Sequence, residues 1–278
     1  MTSKNLRELL NVNGEYHTFN REERFYAALL YHFLLKPKEL RIFLNSINHG
    51  YDPDKVRIFF EYAHARDLWA EAKAAARKVS GTSISVLNAE LRSAIVSLVD
   101  PSESLGLSKL SDREFNAFFG ARSETQIQMP GRWSKKSFSK WVTDGGREFA
   151  ERACTLIWAF NAKADLVIHT GDNQAICIEA KVVSSESTYS AAAGDGAPDF
   201  VRTQTDIQRF ILNDLLGYKT IFVFLSVNGT AGISSKLARE QSIGLCWEDV
   251  FGRMDLTDEL PFVRESLKSL AISNLRSK

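Results

Sequence analysis

Residues 163–183 read KADLVIHTGDNQAICIEAKVV, two apolar runs separated by Gly171-Asp172-Asn173. Glycine, aspartate and asparagine favour tight turns, so the stretch predicts a β-hairpin. Successive side chains of a strand point to opposite faces, which places Cys177, Glu179 and Lys181 on one face of the second strand. A charge buried in an apolar strand is costly unless it is paired. The acid and the lysine therefore indicate a site in which each has a partner.

Asp165 supplies a second carboxylate, because it stands at the head of the first strand of this hairpin. The turn brings the two strands alongside each other, so Asp165, Glu179 and Lys181 meet at one end of a sheet. Carboxylates and water are the ligands that Mg²⁺ prefers, and a bound Mg²⁺ polarises a phosphate and activates water. Lys181 would orient that water or stabilise the negative charge that grows on the phosphate. The trio predicts metal-dependent phosphodiester hydrolysis.

An aspartate before an apolar run, followed by Glu179-Ala180-Lys181 on the next strand, resembles the PD-(D/E)XK nuclease superfamily, which has the restriction-endonuclease-like fold. The resemblance covers about residues 140 to 250. It implies that Asp165 and Glu179 bind Mg²⁺, or Mn²⁺ in its place, with the Ala180 carbonyl as a third ligand. Lys181 is then the catalytic lysine.

The resemblance also implies a glutamate on the first helix of the fold. Glu151 is the predicted residue and Glu148 the fallback, on a helix expected from about Gly146 to Phe160. The family core runs helix–strand–strand–strand–helix–strand, and one of these strands is unassigned in the sequence. Ala164 stands where many members have proline.

Some branches of the family carry a Q-x-x-x-Y motif on the following helix, here expected from Val201 to Leu216. If Phe210 takes the tyrosine place, Asp206 falls where the glutamine belongs, so this register does not match. Gln204 and Gln208 remain candidates for contacts with a nucleic-acid backbone. The small and polar residues 184–198 predict a mobile loop before this helix.

The rest of the C-terminal half predicts two more strands. The apolar run KTIFVFLSV, residues 219–227, indicates a buried strand, and a short strand is expected from Ile243 to Trp247. The fold class expected is α/β (α+β), with a mixed central sheet flanked by helices, over residues 126–278 and ending in a helical tail.

Residues 1–125 are expected to form a separate helical domain without strands. Asn20 and Glu23 have the spacing of a capping box before a helix. Asp52-Pro53 predicts a second helix, with apolar residues at helical spacing behind it, and a third is expected from Ser85 to Val99. The apolar residues of the first two helices are Phe25, Leu29, Leu30, Phe33 and Leu34, and Val56, Phe59, Phe60 and Ala63.

Between the two halves, residues 131–147 read GRWSKKSFSKWVTDGGR and are locally basic. Cations that pair with phosphates and rings that stack on bases suit nucleic acid. An ordinary surface segment whose tryptophans anchor it to the core is the alternative. The predicted nucleic-acid contacts here are Arg132, Lys135, Lys136 and Lys140, and the interleaved rings are Trp133, Phe138 and Trp141.

Composition is that of a globular protein, with 278 residues and a net charge of +1. This charge does not argue against nucleic acid, because a nuclease needs only a local basic surface. The cysteines, Cys154, Cys177 and Cys246, are far apart and indicate free thiols in a reducing compartment. No apolar run approaches the ~20 residues that span a bilayer, and the start lacks a signal-peptide pattern. We expect a cytoplasmic protein without a membrane partner.

The expected function is that of a metal-dependent endonuclease acting on DNA, in restriction, anti-phage defence or DNA repair. The resemblance implies a homodimer, because family members that cut both strands usually act as dimers. The N-terminal helices would grip nucleic acid, dimerise or dock a partner protein. Two alternatives stay open: a non-catalytic nucleic-acid-binding or interaction module on the same fold, and an RNA nuclease.

Overall fold

The computed structural model describes residues 23–78, 84–122, 125–182, 184–192, 194, 199–227 and 240–267. The strands are β1 (Arg57–Tyr62), β2 (Ala164–Gly171), β3 (Gln174–Ala180), β4 (Thr188–Ala191), β5 (Phe200–Thr203), β6 (Lys219–Ser226) and β7 (Ser242–Cys246). The helices are α1 (Glu23–Leu34), α2 (Pro37–Ser46), α3 (His64–Lys78), α4 (Ile84–Val99), α5 (Asp112–Phe118), α6 (Phe138–Asn161), α7 (Gln204–Arg209) and α8 (Trp247–Phe251). A π-helical turn, Phe210–Leu215, continues α7.

The centre of the molecule is a mixed five-stranded sheet in the order β1-β2-β3-β6-β7. β2 runs antiparallel to both β1 and β3, whereas β6 runs parallel to β3 and β7 parallel to β6. A parallel neighbour requires a crossover connection. The chain between β3 and β6 supplies it with α7, together with a small separate sheet of β4 and β5. The protein is therefore an α/β protein with a mixed sheet.

Alternation along β3 divides the core between the two faces of the sheet. Ile176 and Ile178 are fully buried with α1, α2 and α8 on one face. Ala175 and Cys177 are buried on the other, against Leu212 from the π-helical turn. Both faces are covered, so charged side chains at the end of β3 are also drawn out of water.

The helices between β1 and β2 form most of a second core, centred on α6, to which β5 and α7 also contribute. Trp141 and Phe119 are fully buried in it, together with α4 and α5. α6 bends at Gly146, whose φ of 82° is in the left-handed region that favours glycine. The helix predicted from Gly146 therefore starts earlier, at Phe138, and changes direction at the glycine.

The helix predicted after Asp52-Pro53 is wrong, because residues 57–62 form β1. Phe60 pairs with Leu166 and Phe59 with Val167, in antiparallel register with β2. The apolar spacing fits a helix, but pairing with a strand distant in sequence overrides that local pattern. β1 lies in the central sheet and α1 packs on the same core. The predicted boundary at residue 125 thus does not coincide with a boundary between cores.

Other predicted elements are shifted rather than lost. The predicted loop 184–198 contains β4, and the helix expected from Val201 begins at Gln204 because β5 precedes it. The helix predicted to end at Val99, the hairpin and the strand starting at Lys219 are confirmed. Asn20 of the predicted capping box lies outside the described residues.

Among the described helices, none combines the length and the apolar character needed to cross a membrane.

Substitution of Leu225 tests how much the central strand contributes to stability. Its side chain is fully buried between the sheet and helices α1 and α8. We expect Leu225→Ala to lower the free energy of unfolding by about 2–5 kcal/mol, since it leaves a cavity in the core. Leu260→Ala, at a side chain that is 62% exposed, should change it by less than about 0.5 kcal/mol. Urea unfolding measures both, and equal effects would contradict the placement of β6.

Candidate active site

Asp165 and Glu179 face each other at one end of the sheet. Leu166 pairs with Ile178 across β2 and β3, so the next pair along the ladder is Asp165 with Glu179. Oδ2 of Asp165 accepts a hydrogen bond from the backbone N–H of Ala180, 2.8 Å away. The hairpin register thus brings the two predicted carboxylates together.

Lys181 is the first residue after β3, and hydrogen bonds of its backbone fix its position. Its N–H donates to the carbonyl of Leu225, and its own carbonyl accepts from Nε1 of Trp247, each at 2.8 Å. The side chain is almost fully buried, since the residue is only 6% exposed. Its Nζ lies 2.7 Å from Oε1 of Glu179, which is 3% exposed. The predicted lysine and glutamate are therefore in direct contact, and they form a buried ion pair when Glu179 is deprotonated.

A third carboxylate, that of Glu23 in the first turn of α1, reaches the same cluster. Its Oε2 lies 3.4 Å from Nζ of Lys181. Its Oε1 accepts hydrogen bonds from the hydroxyl of Ser184 and from the backbone N–H of Val182. Sequence reasoning missed Glu23 as a site residue because its spacing from Asn20 explains it as part of a helix cap. The only signal for it was its place on a helix ahead of the sheet.

The acid predicted from the helix before β2, Glu151, is not brought to the cluster. It pairs with Arg147 one helical turn away, Nε to Oε1 2.8 Å, and Glu148 pairs with Arg152 in the same way. Both glutamates line a different cleft, beside α7. α6 packs in the second core, so the helix-borne acid of the cluster is Glu23 rather than Glu151.

Gln208 of α7 holds Glu179 from the other side. Its Nε2 donates to Oε2 of Glu179 at 2.5 Å, and its Oε1 lies 3.5 Å from Sγ of Cys177, which donates to it. Gln208 is 1% exposed, so it orients the glutamate and is not a surface contact for nucleic acid. Gln204 begins α7, and its N–H donates to the carbonyl of Ser187. No described contact brings the Gln204 side chain to the cluster.

The basic segment predicted to bind nucleic acid divides into buried rings and exposed cations. Trp133, Phe138 and Trp141 are 5%, 1% and 0% exposed, so they anchor the segment and do not offer stacking surfaces. Arg132, Lys135 and Lys136 are exposed. Lys140 is also exposed but forms an ion pair with Asp144. The exposed cations therefore remain candidates for contact with a ligand, whereas the buried rings do not.

Burial dominates the electrostatics of the cluster. Desolvation, followed by the nearby charge of Asp165, raises the pKa of Glu179 to about 8 against the opposing effect of Lys181. Desolvation also raises the pKa of Asp165. Burial lowers the pKa of Lys181, but the carboxylates of Glu179 and Glu23 outweigh this, and its pKa is raised. Lys181 therefore stays positively charged. Asp165 and Glu179 bind protons more tightly than usual, so another cation has to displace those protons in order to bind.

The donor set of the cluster suits a hard cation that keeps most of its water. No group of three or more His, Cys, Asp or Glu residues shaped to hold a metal occurs within the described parts of the chain. Oε1 of Glu179 is buried, and the ammonium group of Lys181 lies 2.7 Å from it. Mg²⁺ is commonly held by one or two carboxylates, with water and phosphate completing its shell. Asp165 and Glu179 fit that requirement.

In comparisons with known proteins, no family model, no curated protein and no solved structure matches the chain. The function has to be inferred from the residues themselves.

The raised pKa of Glu179 predicts how stability depends on pH. The folded protein holds this proton more tightly than the unfolded chain, in which the ordinary pKa of a glutamate is 4.5. Stability should therefore fall as the pH rises from about 5 to about 8, by up to about 1.4 kcal/mol per pH unit for one proton. We expect Glu179→Gln to have a shallower fall, because it cannot lose that proton.

Urea unfolding at pH 5 and pH 8 measures this slope for the wild type and the variant. Glu151→Gln, which removes a carboxylate outside the cluster, is the matched control and should keep the wild-type slope. Equal slopes in the wild type and Glu179→Gln would show that Glu179 is not held protonated by burial.

Proposed function

We propose that the protein is a metal-dependent nuclease that hydrolyses phosphodiester bonds in DNA. The observation that carries the proposal is the burial of Asp165, Glu179 and Lys181 together where β2 and β3 end. Buried ion pairs contribute little net stability, since apolar residues in their place are often as stable or more so. Two carboxylates and a lysine in this position are better explained by chemistry than by folding.

The arrangement of the elements supports the same proposal. The order α1, β1, β2, β3, α7, β6 follows the helix–strand–strand–strand–helix–strand order of the PD-(D/E)XK superfamily, which the motif resembles. In this correspondence β1 takes the place of the unassigned strand. Glu23 takes the place of the glutamate on the first helix, and the helices between β1 and β2 are an insertion. A restriction-endonuclease-like arrangement is therefore part of the proposal.

Each residue of the cluster has a role in this proposal. Asp165 and Glu179 would bind Mg²⁺, or Mn²⁺ in its place, with the Ala180 carbonyl and Glu23 as further oxygen donors. A bound divalent ion polarises the scissile phosphate and makes water a better nucleophile. Gln208 keeps the Glu179 carboxylate oriented through its hydrogen bond.

Lys181 has an electrostatic role in the hydrolysis. A water oxygen bonds to phosphorus while the bond to one sugar oxygen breaks; the attacking water releases a proton to the solvent, and the released sugar oxygen takes one up from the solvent. The raised pKa of Lys181 keeps its ammonium group charged at neutral pH. It therefore does not accept the proton of the water; it stabilises the negative charge that develops on the phosphate and orients the water.

A non-catalytic nucleic-acid-binding or interaction module is the second candidate, and one observation favours it. Nζ of Lys181 already contacts both Glu179 and Glu23, so the cluster is partly neutralised by its own residues. This candidate predicts binding without cleavage. An RNA nuclease is a further alternative. A homodimeric assembly, which the resemblance implies, and a role in restriction, anti-phage defence or DNA repair are further parts of the proposal to be tested.

Cleavage assays test the nuclease directly. The purified protein is incubated with plasmid, linear and single-stranded DNA and with RNA, with and without Mg²⁺. We expect Mg²⁺-dependent cleavage that falls by about 100-fold or more in Asp165→Asn, Glu179→Gln and Lys181→Met. The first two weaken the ligands of the metal ion, and the third removes the cation that stabilises the negative charge on the phosphate. If RNA alone is cleaved, the protein is an RNA nuclease and not the proposed DNA nuclease.

The matched control is Glu151→Gln, which changes a helix glutamate outside the cluster and should retain wild-type activity. The thermal unfolding of every variant is compared with that of the wild type, so that loss of folding is recognised. Intact substrates under all conditions with the folded wild type would favour the non-catalytic module.

Gln208 is expected to act through its neighbour Glu179. Gln208→Leu removes the hydrogen bond that orients this glutamate, and changes of this kind typically weaken metal affinity or activity by about 10- to 100-fold. Calorimetric titration with Mn²⁺ should show the weaker affinity, whereas Gln204→Leu, on the same helix but without a described contact to the cluster, should not. Unchanged Mn²⁺ affinity in Gln208→Leu would contradict a positioning role.

A further inference from the structure

An open cleft of about 680 Å³ lies on the helical part of the molecule, apart from the residues of the catalytic cluster. The described residues that line it are Gly120, Arg122, Gln128, Arg132, Trp133 and Ser134. None of them is acidic, and their side chains offer guanidinium, amide, indole and hydroxyl donors. A cleft of this size accommodates part of a ligand rather than a single water.

Both arginines of the cleft are available to a ligand. Arg122 and Arg132 are exposed, and neither forms an ion pair with a carboxylate that the structure describes. The indole Nε1 of Trp133 is buried, and no hydrogen-bond partner for it occurs among the described residues. Paired guanidinium groups bind phosphate oxygens well, because their donors match the geometry of the oxygens. The chemistry of the cleft is therefore that of a phosphate site.

The wall of the cleft is rigid. The ring of Trp133 stacks on that of Phe119, with centroids 3.8 Å apart and planes 16° from parallel. Gly120 has a φ of +67°, and a Cβ there would lie 2.8 Å from Cβ of Ser134. The backbone N–H of Ser134 donates to the carbonyl of Phe119. These contacts hold Phe119 and Gly120, directly after α5, against Trp133 and Ser134, which are next to Arg132 in the chain.

A short path of contacts joins this surface to the catalytic cluster. Lys135, next to the cleft residue Ser134, donates from Nζ to the carbonyl of Ser190 in β4, 3.4 Å away. The chain before β4 begins at the cluster, where the hydroxyl of Ser184 donates to Glu23. The segment that contains β4 thus connects the surroundings of the cleft with the cluster.

We propose that this cleft binds a phosphate group of the nucleic-acid backbone at a position other than the scissile phosphate, through Arg122 and Arg132. The choice of nucleic acid as the ligand rests on the proposed nuclease function. The inference adds a second point of contact between the protein and this substrate. Two fixed points on one strand set which phosphate reaches the carboxylates. Trp133 does not stack on a base, because one face of its ring lies on Phe119 and the residue is only 5% exposed.

Binding measured without metal tests this inference separately from cleavage. The Kd of a fluorescein-labelled DNA duplex is followed by fluorescence anisotropy in EDTA, over a series of salt concentrations. We expect the double variant Arg122→Gln/Arg132→Gln to bind more weakly. The slope of log K against log salt should become less steep by about 1 for each phosphate contact that is lost.

The matched control is Arg66→Gln/Arg253→Gln, which removes the same charge from exposed positions that line neither the cleft nor the cluster. It should keep the wild-type slope, and equal slopes in all three proteins would overturn the inference. Comparison of thermal unfolding shows whether both double variants are folded. If the cleft variant unfolds early, a duplex with single methylphosphonates, read on the wild type, replaces it. The inference then requires that a methylphosphonate at one position other than the scissile phosphate weakens binding.

A titration with inorganic phosphate separates the two sources of such a ligand. If phosphate raises the melting temperature of the wild type but not that of the cleft variant, and DNA binding is the same in both, the cleft binds a free phosphate compound and the inference is overturned. DNA cleavage with an unchanged salt slope would reject this inference alone. An altered slope in a protein that does not cleave would retain it and reject the nuclease.

Discussion

The burial of an acid–lysine pair at the end of β3 is the constraint around which the described elements are arranged. Glu179 and Lys181 are both almost fully enclosed, and charges in that position destabilise a fold unless partners surround them. Separate elements supply those partners: Glu23 from α1 contacts the lysine, and Gln208 from α7 donates to the glutamate. Leu225 and Trp247 hold the lysine backbone. The sheet and the helices around it therefore position the residues of the cluster, and the contacts within the cluster make the buried charges at the end of β3 compatible with the fold.

Local patterns in the sequence were sufficient for the hairpin and for the faces of its second strand, because the turn and the alternation of period two are properties of neighbouring residues. β1 was not predictable in this way, since residues 56–63 carry apolar spacing compatible with a helix and gain their strand pairing only from β2. Glu23 was hidden for a related reason. Its spacing from Asn20 has a local explanation, and its contact with Lys181 is made across most of the chain.

In the basic segment 131–147, the same sequence pattern is compatible with a nucleic-acid surface and with packing on a core. Alternating rings and cations are typical of nucleic-acid surfaces and also of an amphipathic segment on a core. Burial of Trp133 and Trp141 separates the two parts, because the rings stabilise the second core while the cations stay in water. Glu151 does not join the cluster for the same kind of reason. A glutamate on the flank of a helix has the same sequence signature wherever that helix packs.

The position of the α3–α6 segment, which lies between β1 and β2 along the chain, has a consequence for how the chain folds. Arg57 pairs with His169, so the first two neighbours in the sheet meet only after all the intervening helices have been synthesised. Contacts between residues so distant in sequence slow folding, because a long loop must close before they form. During synthesis the helices between β1 and β2 can collapse first on the part of the second core that they supply, while β1 still has an unpaired edge. The chain is therefore expected to be most prone to aggregation before the hairpin of β2 and β3 has left the ribosome.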